Sequence, residues 1–485
     1  MPASNELALE ADVVVVGGGI VGLGIAWEVQ RTGRSVTVID PSPAAGATFA
    51  AAGMLAPVSE LHYQEEQLLG LTLASAALWP EFVAPLAAAG HADTGFRTTA
   101  TLVLGADAAD RRALADLRQV QLSLGLAVDP LTIREARAEE PLLGPQLSCA
   151  FRVAHDHQVD PRGLATAIRV QLNVVAAASG RLMEEQTSIR RKAAGLVHRD
   201  PADPDSRVTG VLLEDGRTVR AGEVVVANGL GAPALTGLPA GLRLPLRPVY
   251  GDILRLGVPE HLRPLLTSTV RGLVRGVPVY IVPRNDGTVV IGATQREEGV
   301  VGGSAGAAGG EVGTAGSSRS RGGTAESTSG STAAGVSAGG VYALLRDAQT
   351  LVPAVAELEL LETTARARPG TPDNAPLLGR VAGRHGDVEG LIIATGFFRH
   401  GVLLTPIAAQ ICRQLMNGIT ALEWTPFRPD RFSVVAYSAG AYSVDPGSAG
   451  PDAAGPAAPS TPSTPSAVPA TAAPSAVHNH EGDYQ

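Results

Sequence analysis

A glycine-rich motif near the start of the chain limits the fold most strongly. The stretch from Asp12 to Val29, DVVVVGGGIVGLGIAWEV, has four consecutive valines, then GxGxxG, then apolar residues at helical spacing. This order predicts a buried parallel strand, a tight turn and a helix. Gly17, Gly19 and Gly22 would allow the sharp turn, the close approach of a pyrophosphate and tight helix–strand packing. The motif therefore predicts a Rossmann-like dinucleotide site, with the phosphates at the helix N-terminus.

An acidic residue ends the next apolar segment. SVTVID finishes at Asp40, close to the spacing at which a carboxylate accepts hydrogen bonds from the ribose of a dinucleotide. The same carboxylate would repel a 2′-phosphate, which disfavours NADP. NAD and FAD both remain compatible with this unit alone.

Charge and hydropathy exclude several classes of protein. The chain has 485 residues, a formal net charge of −9 and no dense basic run, so nucleic acid is not an expected partner. The N-terminus lacks the features of a signal peptide, and no run approaches the roughly 20 apolar residues of a membrane span. We therefore expect no membrane association and a cytoplasmic location.

Cysteine and histidine usage predicts no metal site. Cys149 and Cys412 do not form a CxxC pair, so neither a zinc site nor a disulfide framework is expected. His155 and His157 are two residues apart in a loop and have no further cluster of ligands nearby in the sequence. Solvated histidines are the better interpretation of this pair.

Two segments differ in composition from the rest. Residues 302–340 are almost entirely Gly, Ser, Ala and Thr, and residues 438–485 are rich in Pro, Ala and Ser. Such segments bury too little apolar surface to offset the entropy of ordering. The first lies between the strand-like TVVIGAT and the helix-like VYALLRDAQTLV. We predict a disordered insertion within a loop and a disordered tail.

The remaining segments predict two interleaved domains. VTGVLLEDGRTVRAGEVVVANG and GLIIATG predict strands of the nucleotide-binding sheet, whereas RLPLRPVYGDILRL and VPVYIVPRNDGTVVIGAT predict long antiparallel strands of another sheet. The predicted fold class is α/β: a discontinuous Rossmann-like FAD-binding domain with an inserted antiparallel β-rich substrate domain. The FAD-binding domain is predicted at 10–90, 150–235 and 355–432, and the substrate domain at 91–149 and 236–354.

This interleaving bears on the choice of cofactor. A nicotinamide dehydrogenase usually completes its nucleotide fold contiguously, so a fold drawn from distant segments favours FAD. No second strand-linked GxGxxG is present for a nicotinamide partner. We therefore expect the flavin to be reoxidised by something other than bound NAD(P)H.

Three further motifs carry a resemblance to a known family. GATFAAAGMLAP, ARPGTPDNAPLLG and ATGFFRHGVLLTP, together with the glycine motif, VDPRGL, RPVYGDILRL and VYIVPRNDGTVVIGAT, occur in the order typical of that family. The chain resembles the FAD-dependent glycine oxidases of thiamine biosynthesis, within the D-amino acid oxidase superfamily, from Asp12 to about Phe432. Enzymes resembling sarcosine oxidase often carry a cysteine that links to the flavin, but none lies near Arg368 in this sequence. The resemblance therefore implies non-covalent FAD.

The resemblance also implies which residues line the cofactor. Ile20 and Val21 would line the pyrophosphate, Asp40 with Pro41 would border the adenosine, and Ser188 would supply backbone near the adenine. The residues implied along the flavin are Ala47, Thr48, Ala52, Gly53 and Met54. The residues implied to cap its ring are Phe397, Phe398, Arg399, His400, Gly401, Val402 and Leu403. A helix beginning after Gly401 would direct its positive end at the ring edge where charge accumulates on reduction.

Arg368, Arg399 and Tyr280 correspond to the family's substrate-binding positions. An amino-acid carboxylate taken from water needs a fixed cation, and a planar guanidinium offers it two parallel donors. The alternative for each arginine is an ion pair that holds a loop, and for Tyr280 it is a core tyrosine in an apolar strand.

The chain departs from the family pattern at three positions. Relatives commonly show Gly-His-aromatic-Arg-Asn-Gly where this chain has GFFRHG, so Phe397 and His400 differ. Arg366 replaces the glycine two residues before Arg368. These changes bear on substrate range more than on cofactor.

The resemblance implies an amine oxidase acting on glycine and small relatives such as sarcosine or small D-amino acids. A hydride would pass from the α-carbon to flavin N5, and the imine would hydrolyse to glyoxylate and ammonia or feed thiazole formation, with O2 reduced to hydrogen peroxide. No motif places an obvious general base, so no catalytic residue is predicted. Alternatives left open are a sarcosine or D-amino acid oxidase, a quinone-linked D-amino acid dehydrogenase, and a non-enzymatic dinucleotide-binding scaffold or redox sensor. The expected partners are the amino-acid substrate and O2, and a homo-oligomer is left open.

Overall fold

The structure, a computed structural model, describes residues 9–90, 92–180, 187–297 and 333–433. The predicted disordered tail lies outside these residues, as does the predicted insertion as far as residue 332. The end of the insertion is ordered, because Ser337 caps a helix whose first turn includes Gly340. The insertion was therefore predicted too long, since small and polar residues also build a helix N-terminus.

The described strands are β1 (Leu9–Val16), β2 (Val36–Ile39), β3 (Met54–Leu55), β4 (Thr101–Gly105), β5 (Asp129–Leu131), β6 (Cys149–Val153), β7 (His157–Gln158), β8 (Ser188–Ile189), β9 (Ala193–His198), β10 (Val208–Leu213), β11 (Thr218–Val226), β12 (Arg247–Gly257), β13 (Thr269–Val274), β14 (Val277–Pro283), β15 (Thr288–Gly292), β16 (Arg296–Glu297), β17 (Ala333–Ala334), β18 (Glu359–Gly370), β19 (Leu377–Gly379), β20 (Ala382–Gly383), β21 (Gly386–Asp387) and β22 (Leu391–Thr395). The described α-helices are α1 (Ile20–Gln30), α2 (Ala47–Ala50), α3 (Glu66–Ala89), α4 (Ala108–Ser123), α5 (Ile133–Glu139), α6 (Pro161–Ala178), α7 (Ala338–Leu351) and α8 (Thr405–Met416).

The first sheet carries the glycine motif. Its strand order is β19-β22-β11-β1-β2-β8, with β10 paired to β11 and β9 paired to β10. Strand β1 runs parallel to β2 and β11, and β11 runs parallel to β22. The four valines of β1 are at most 2% exposed, as expected for a parallel strand covered on both faces. Helix α1 follows the glycines directly and packs against α6 and α8.

The second sheet provides a broad, mostly antiparallel surface. Its order is β17-β18-β12-β15-β14-β13-β4-β6-β5, with β16 on β12. Only the β13–β4 pair is parallel among the described pairs of this sheet. Strands β12 and β18 pair along almost their whole length. The predicted fold class, a Rossmann-like α/β domain with a second β-rich region, is confirmed.

The sheets divide the sequence differently from the predicted domain boundaries. Strands β6 and β18 belong to the second sheet, although residues 150–153 and 359–370 were assigned to the FAD-binding domain. Leu244, assigned to the substrate domain, is buried in the core of the first sheet. The partner of β18 is β12, about 100 residues earlier in the chain. Such distant pairing leaves no local pattern from which a boundary could be predicted.

Helix α3 has the length and mean hydropathy of a membrane span, the one such helix among the described residues. No such segment was expected from the sequence. In this structure Leu71 and Trp79 on α3 are fully buried, and Ser75 and Trp79 donate hydrogen bonds to the carbonyl oxygen of Leu403. The helix thus supports the segment before α8, and the cytoplasmic location stays a prediction.

Candidate active site

A cleft joins the carboxyl ends of the first sheet to one face of the second. Gly17 and Asp40, which follow β1 and β2, line one part of it, and Tyr280 on β14 with Arg368 on β18 line another. Its empty space is about 1810 Å³, open solvent included. A crevice at the carboxyl ends of parallel strands is where open α/β sheets bind dinucleotides.

The three motif glycines have different surroundings. A Cβ at Gly17, where φ is 111°, would lie less than 3.0 Å from the carbonyl oxygen of Ala227. A Cβ at Gly22 would also lie less than 3.0 Å from the carbonyl oxygen of Gly17. At Gly19 a Cβ would meet only Thr48 Oγ1, at 3.6 Å. Gly17 and Gly22 therefore hold the turn together, whereas Gly19 leaves room in the cleft that fits the pyrophosphate of FAD.

The acid at the end of β2 is fixed by backbone donors. Gly18 N–H donates to Asp40 Oδ2 and Ser42 N–H donates to Asp40 Oδ1, each at 2.7 Å. The carboxylate borders the cleft, as the ribose-binding prediction requires. Ile20 N–H, predicted to lie at the pyrophosphate, already donates to Thr48 Oγ1 at 2.9 Å.

Arg368 and Tyr280 extend over glycines on two adjacent strands. A Cβ at Gly251 on β12 would lie less than 3.0 Å from the Arg368 guanidinium, and a Cβ at Gly292 on β15 would lie equally close to the Tyr280 hydroxyl. Within the described part of the chain, neither the guanidinium nor the hydroxyl has a hydrogen-bond or ion-pair partner. Both polar groups therefore remain available to a ligand in the cleft.

The electrostatics keep Tyr280 protonated. Burial raises the pKa of its phenol to about 12, although the charge of Arg368 acts in the opposite direction. A protonated phenol can donate a hydrogen bond to a carboxylate. Arg368 and Tyr280 thus both offer hydrogen-bond donors, and among the described residues no carboxylate of the protein occupies them.

Comparison with known proteins decides the family. The family described as FAD dependent oxidoreductase, abbreviated DAO, matches residues 12–415. This chain belongs to that family. The glycine oxidase of Geobacillus kaustophilus (strain HTA426) is 30% identical over 420 residues, which cover 86% of this chain and 96% of the relative. The crystal structure of glycine oxidase from Geobacillus kaustophilus matches with a TM-score of 0.68 at 27% identity, covering 87% of this chain and 99% of that one.

A third relative is a fusion protein. The bifunctional protein ThiO/ThiG of Trichormus variabilis (strain ATCC 29413 / PCC 7937) is 28% identical over 400 residues, which are 82% of this chain but 52% of the relative. The chain thus spans about half the length of that relative. Together these matches confirm the predicted resemblance and the FAD cofactor, and they identify an FAD-dependent oxidoreductase with homologues that oxidise amines.

Most of the residues predicted to line the cofactor border the cleft of this DAO-family chain. They are Gly17, Gly19, Ile20, Val21, Asp40, Ala47, Thr48, Ala52, Gly53, Met54, Phe397, Phe398, Arg399, Gly401 and Val402. Gly22, Pro41, Ser188, His400 and Leu403 are not part of its lining. Ser188 pairs with Val38 in the sheet, and Leu403 is buried beneath α3. Their cofactor roles stay predictions.

The segment predicted to cap the flavin ring forms a turn before its helix. Residues Phe398–His400 form a 3-10 turn, and α8 begins at Thr405 rather than directly after Gly401. Pro406 lies in the first turn of α8, a known start signal that the sequence analysis did not use. Phe398 has φ of 48°, an unusual conformation for an aromatic residue.

Arg399 lines the cleft but is already paired. Its guanidinium forms an ion pair with Glu65, and Glu65 also accepts a hydrogen bond from Asn374 Nδ2 at 2.9 Å. The structure gives this arginine the ion pair that was its alternative interpretation. Arg368 is therefore better placed than Arg399 to meet a substrate carboxylate.

Three ionisable residues of the cleft were missed by the sequence analysis: Glu60, His62 and Arg271. Arg271 Nη1 donates to Glu60 Oε1 at 2.5 Å. Burial lowers the pKa of His62 to about 4, helped by the charges of Arg399 and Arg271. No sequence signal could have joined Glu60 to Arg271, because 211 residues separate them.

Proposed function

We propose that this chain oxidises the α-amino group of glycine and of small relatives such as sarcosine and small D-amino acids, with O2 as the electron acceptor. The observation that carries the proposal is the Arg368 guanidinium, which has no partner among the described residues and lines, together with Tyr280, the cleft that also holds the glycine motif. A partly buried cation without a protein anion is an expected site for a ligand carboxylate. A dinucleotide-binding scaffold would have no use for it.

The residues of the cleft would act by holding the substrate. Arg368 would bind both oxygens of the carboxylate, and Tyr280 would donate a further hydrogen bond to it. Two fixed points on a small molecule restrict its rotation and so orient the Cα–H bond. FAD, when bound, supplies the two-electron oxidation that converts the amine to an imine, while O2 becomes hydrogen peroxide. Hydrolysis of the imine then yields glyoxylate and ammonia.

The names of the relatives support this substrate class and a place in metabolism. Glycine oxidase is the name of the relative that is 30% identical, and the fused relative is named ThiO/ThiG. On this basis, together with the sequence resemblance, we propose that the imine is supplied to thiazole formation in thiamine biosynthesis.

The flavin is proposed to be bound without a covalent link. Neither Cys149 nor Cys412 borders the cleft, and Cys412 is fully buried in α8. Acid precipitation should therefore release all of the yellow colour into the supernatant. Colour that stays with the pellet would refute this part of the proposal.

A peroxide-coupled assay of purified protein tests the proposed reaction. Glycine, sarcosine, D-alanine and D-proline should be compared at equal concentration, with oxygen and with a quinone analogue as acceptors. We expect glycine turnover with one peroxide formed per glyoxylate. Turnover with the quinone analogue alone would instead identify a dehydrogenase.

A further inference from the structure

We propose that Glu60 binds the amino group of the substrate and so selects ligands that carry an amine beside their carboxylate. The inference rests on the proposed function, because it concerns the same cleft. It concerns binding alone, and no proton transfer is assigned to Glu60.

The second sheet places Glu60 near the two groups that face a carboxylate. In the order β18, β12, β15, β14, β13, Tyr280 on β14 lies between Arg368 on β18 and Arg271 on β13. Arg271 is directly opposite Tyr280 in the β13–β14 pair, so both side chains lie on the same face. Arg271 in turn holds Glu60 Oε1. Glu60 therefore lies on the β13 side of Tyr280, whereas Arg368 comes from β18 on the other side.

One oxygen of Glu60 has no hydrogen-bond donor among the described residues. Oε1 accepts from Arg271, whereas Oε2 faces His400 Nδ1 at 3.9 Å. That distance is too long for a hydrogen bond. Nδ1 of His400 is buried and has no other partner among the described residues. Glu60 itself is only 9% exposed and borders the cleft, so a ligand N–H could supply the missing donor.

Glu60 carries its charge at neutral pH. Burial alone would raise the pKa of the carboxyl, but the positive charge of Arg271, with a smaller contribution from Arg399, brings it below the ordinary value. Burial lowers the pKa of His400 to about 3, so its ring is neutral at pH 7. Oε2 is therefore a charged acceptor facing a neutral neighbour.

The four arginines of the cleft have different partners. Arg271 and Arg399 are each neutralised by a glutamate, and Arg366 donates only to neutral oxygens of Ala45, Thr364 and Ala365. Arg368 has neither an ion pair nor a hydrogen bond among the described residues. The cleft thus offers a guanidinium with no partner and a carboxylate oxygen with no donor in the described part of the chain. A zwitterionic amino acid carries the complementary pair of charges on two groups that are bonded to the same α-carbon. This arrangement distinguishes it from a hydroxy acid, which would satisfy Arg368 alone.

Ligand titrations of the flavin-loaded protein test the assignment. Binding of glycine under anaerobic conditions and of glycolate, which carries a hydroxyl in place of the amine, can be followed through the flavin absorbance. In Glu60→Gln we expect the glycine KM to rise about 10- to 100-fold, the loss typical of one charge-assisted hydrogen bond. The glycolate Kd should stay within about threefold of wild type, since its main contact is with Arg368.

Glu223→Gln is the matched control. Glu223 also pairs with an arginine, Arg380, but does not border the cleft. Its substitution should leave both ligand affinities unchanged. Parallel loss of glycine and glycolate affinity in Glu60→Gln, or an unchanged glycine KM, would overturn the proposal.

Two further experiments cover the cases in which the first cannot be interpreted. If Glu60→Gln fails to retain flavin, Glu60→Asp should still weaken the binding of glycine more than the binding of glycolate. Equal weakening of both ligands would count against the assignment. If the wild-type protein does not oxidise glycine, the same binding comparison can be made with D-alanine, which carries the amine, and D-lactate, which carries a hydroxyl in its place. Amine selectivity that depends on Glu60 would then stand even though the proposed substrate was wrong.

Discussion

The guanidinium of Arg368 lies over Gly251 on the neighbouring strand, in space that a Cβ would occupy. The two residues are not directly opposite in the ladder, since Arg368 pairs with Val249 and Gly251 pairs with Arg366. The arginine instead reaches along the sheet surface to the bare glycine. Because Gly251 on β12 has no side chain, the Arg368 guanidinium from β18 can occupy this space, and Gly251 therefore sets the position of the cation.

Gly251→Ala should displace that cation without unfolding the protein. The three atoms nearest to the new methyl group all belong to the far end of the flexible Arg368 side chain, so we expect little change in Tm. A shifted guanidinium should raise the glycine KM by about 10-fold or more, because a two-pronged contact tolerates little displacement. Gly257→Ala on the same strand is the control, since its Cβ would make an ordinary contact with Leu361 at 3.4 Å. Equal KM values in the two variants would contradict this account of Arg368.

Gly19→Val should yield folded, colourless protein. A Cβ at Gly19 meets only Thr48 in the protein, so the larger side chain would extend into the space assigned to the pyrophosphate. Flavin content and Tm, measured on the same preparation, separate loss of cofactor from loss of fold. Gly70→Ala on α3, where a Cβ would meet nothing within 4 Å, should stay yellow. A yellow Gly19→Val protein would show that the phosphates lie elsewhere.

The sequence predicted the parts of the site that are local in the chain. The strand, the glycine turn, α1 and Asp40 follow one another between Leu9 and Asp40, and their pattern was sufficient to place them. The environment of Arg368 was not predictable in this way, because the space above Gly251 depends on pairing between strands about 100 residues apart. Similarly, the choice between ligand and ion pair at Arg399 depended on Glu65, which is 334 residues away.

Removal of residues 303–332 should leave glycine turnover and Tm nearly unchanged. Loop-closure cost changes by only about 0.6 kcal/mol for each twofold change in length, so a shorter connection is tolerated. A longer deletion that extends to Ser337 would still lie within the insertion predicted from the sequence, residues 302–340. That longer deletion should lower Tm, because it removes β17 and the Ser337 side chain that accepts from Gly340 N–H, a cap worth about 1 kcal/mol. Lost turnover with retained flavin in the shorter deletion would make the segment part of the active site.

Acid should destabilise the protein partly through His400. Burial lowers the pKa of this histidine to about 3, whereas in the unfolded chain it titrates near its ordinary value of 6.5. Between these values the unfolded state binds more protons, so stability falls as pH decreases below about 6.5. This contribution reaches about 3 kcal/mol at pH 4.5. His400→Asn should therefore show a shallower decline of the unfolding free energy between pH 7 and 4.5.

The buried carboxyl of Asp156 changes the stability in the opposite direction as pH falls, and it does so in both the wild type and the His400 variant. Burial raises the pKa of Asp156 to about 6, which favours the folded state as pH falls through the same window. Asp156 is present in both proteins, so the difference between their urea-unfolding curves isolates His400. Identical pH dependence in the two proteins would mean that His400 is not buried as described.

The central claim, that Arg368 binds the substrate carboxylate, is tested most directly by kcat/KM for glycine in Arg368→Met. Removing one partner of a buried charge-assisted pair costs about 2 to 5 kcal/mol, so kcat/KM should fall by roughly 30- to 5,000-fold while flavin content holds. Arg368→Lys should recover only part of the loss, because an ammonium cannot form the two-pronged contact. A purely structural role of Arg368 would instead lower Tm and flavin content and leave near-normal kinetics in the folded fraction. Unchanged glycine kinetics in a flavin-loaded Arg368→Met protein would contradict the account.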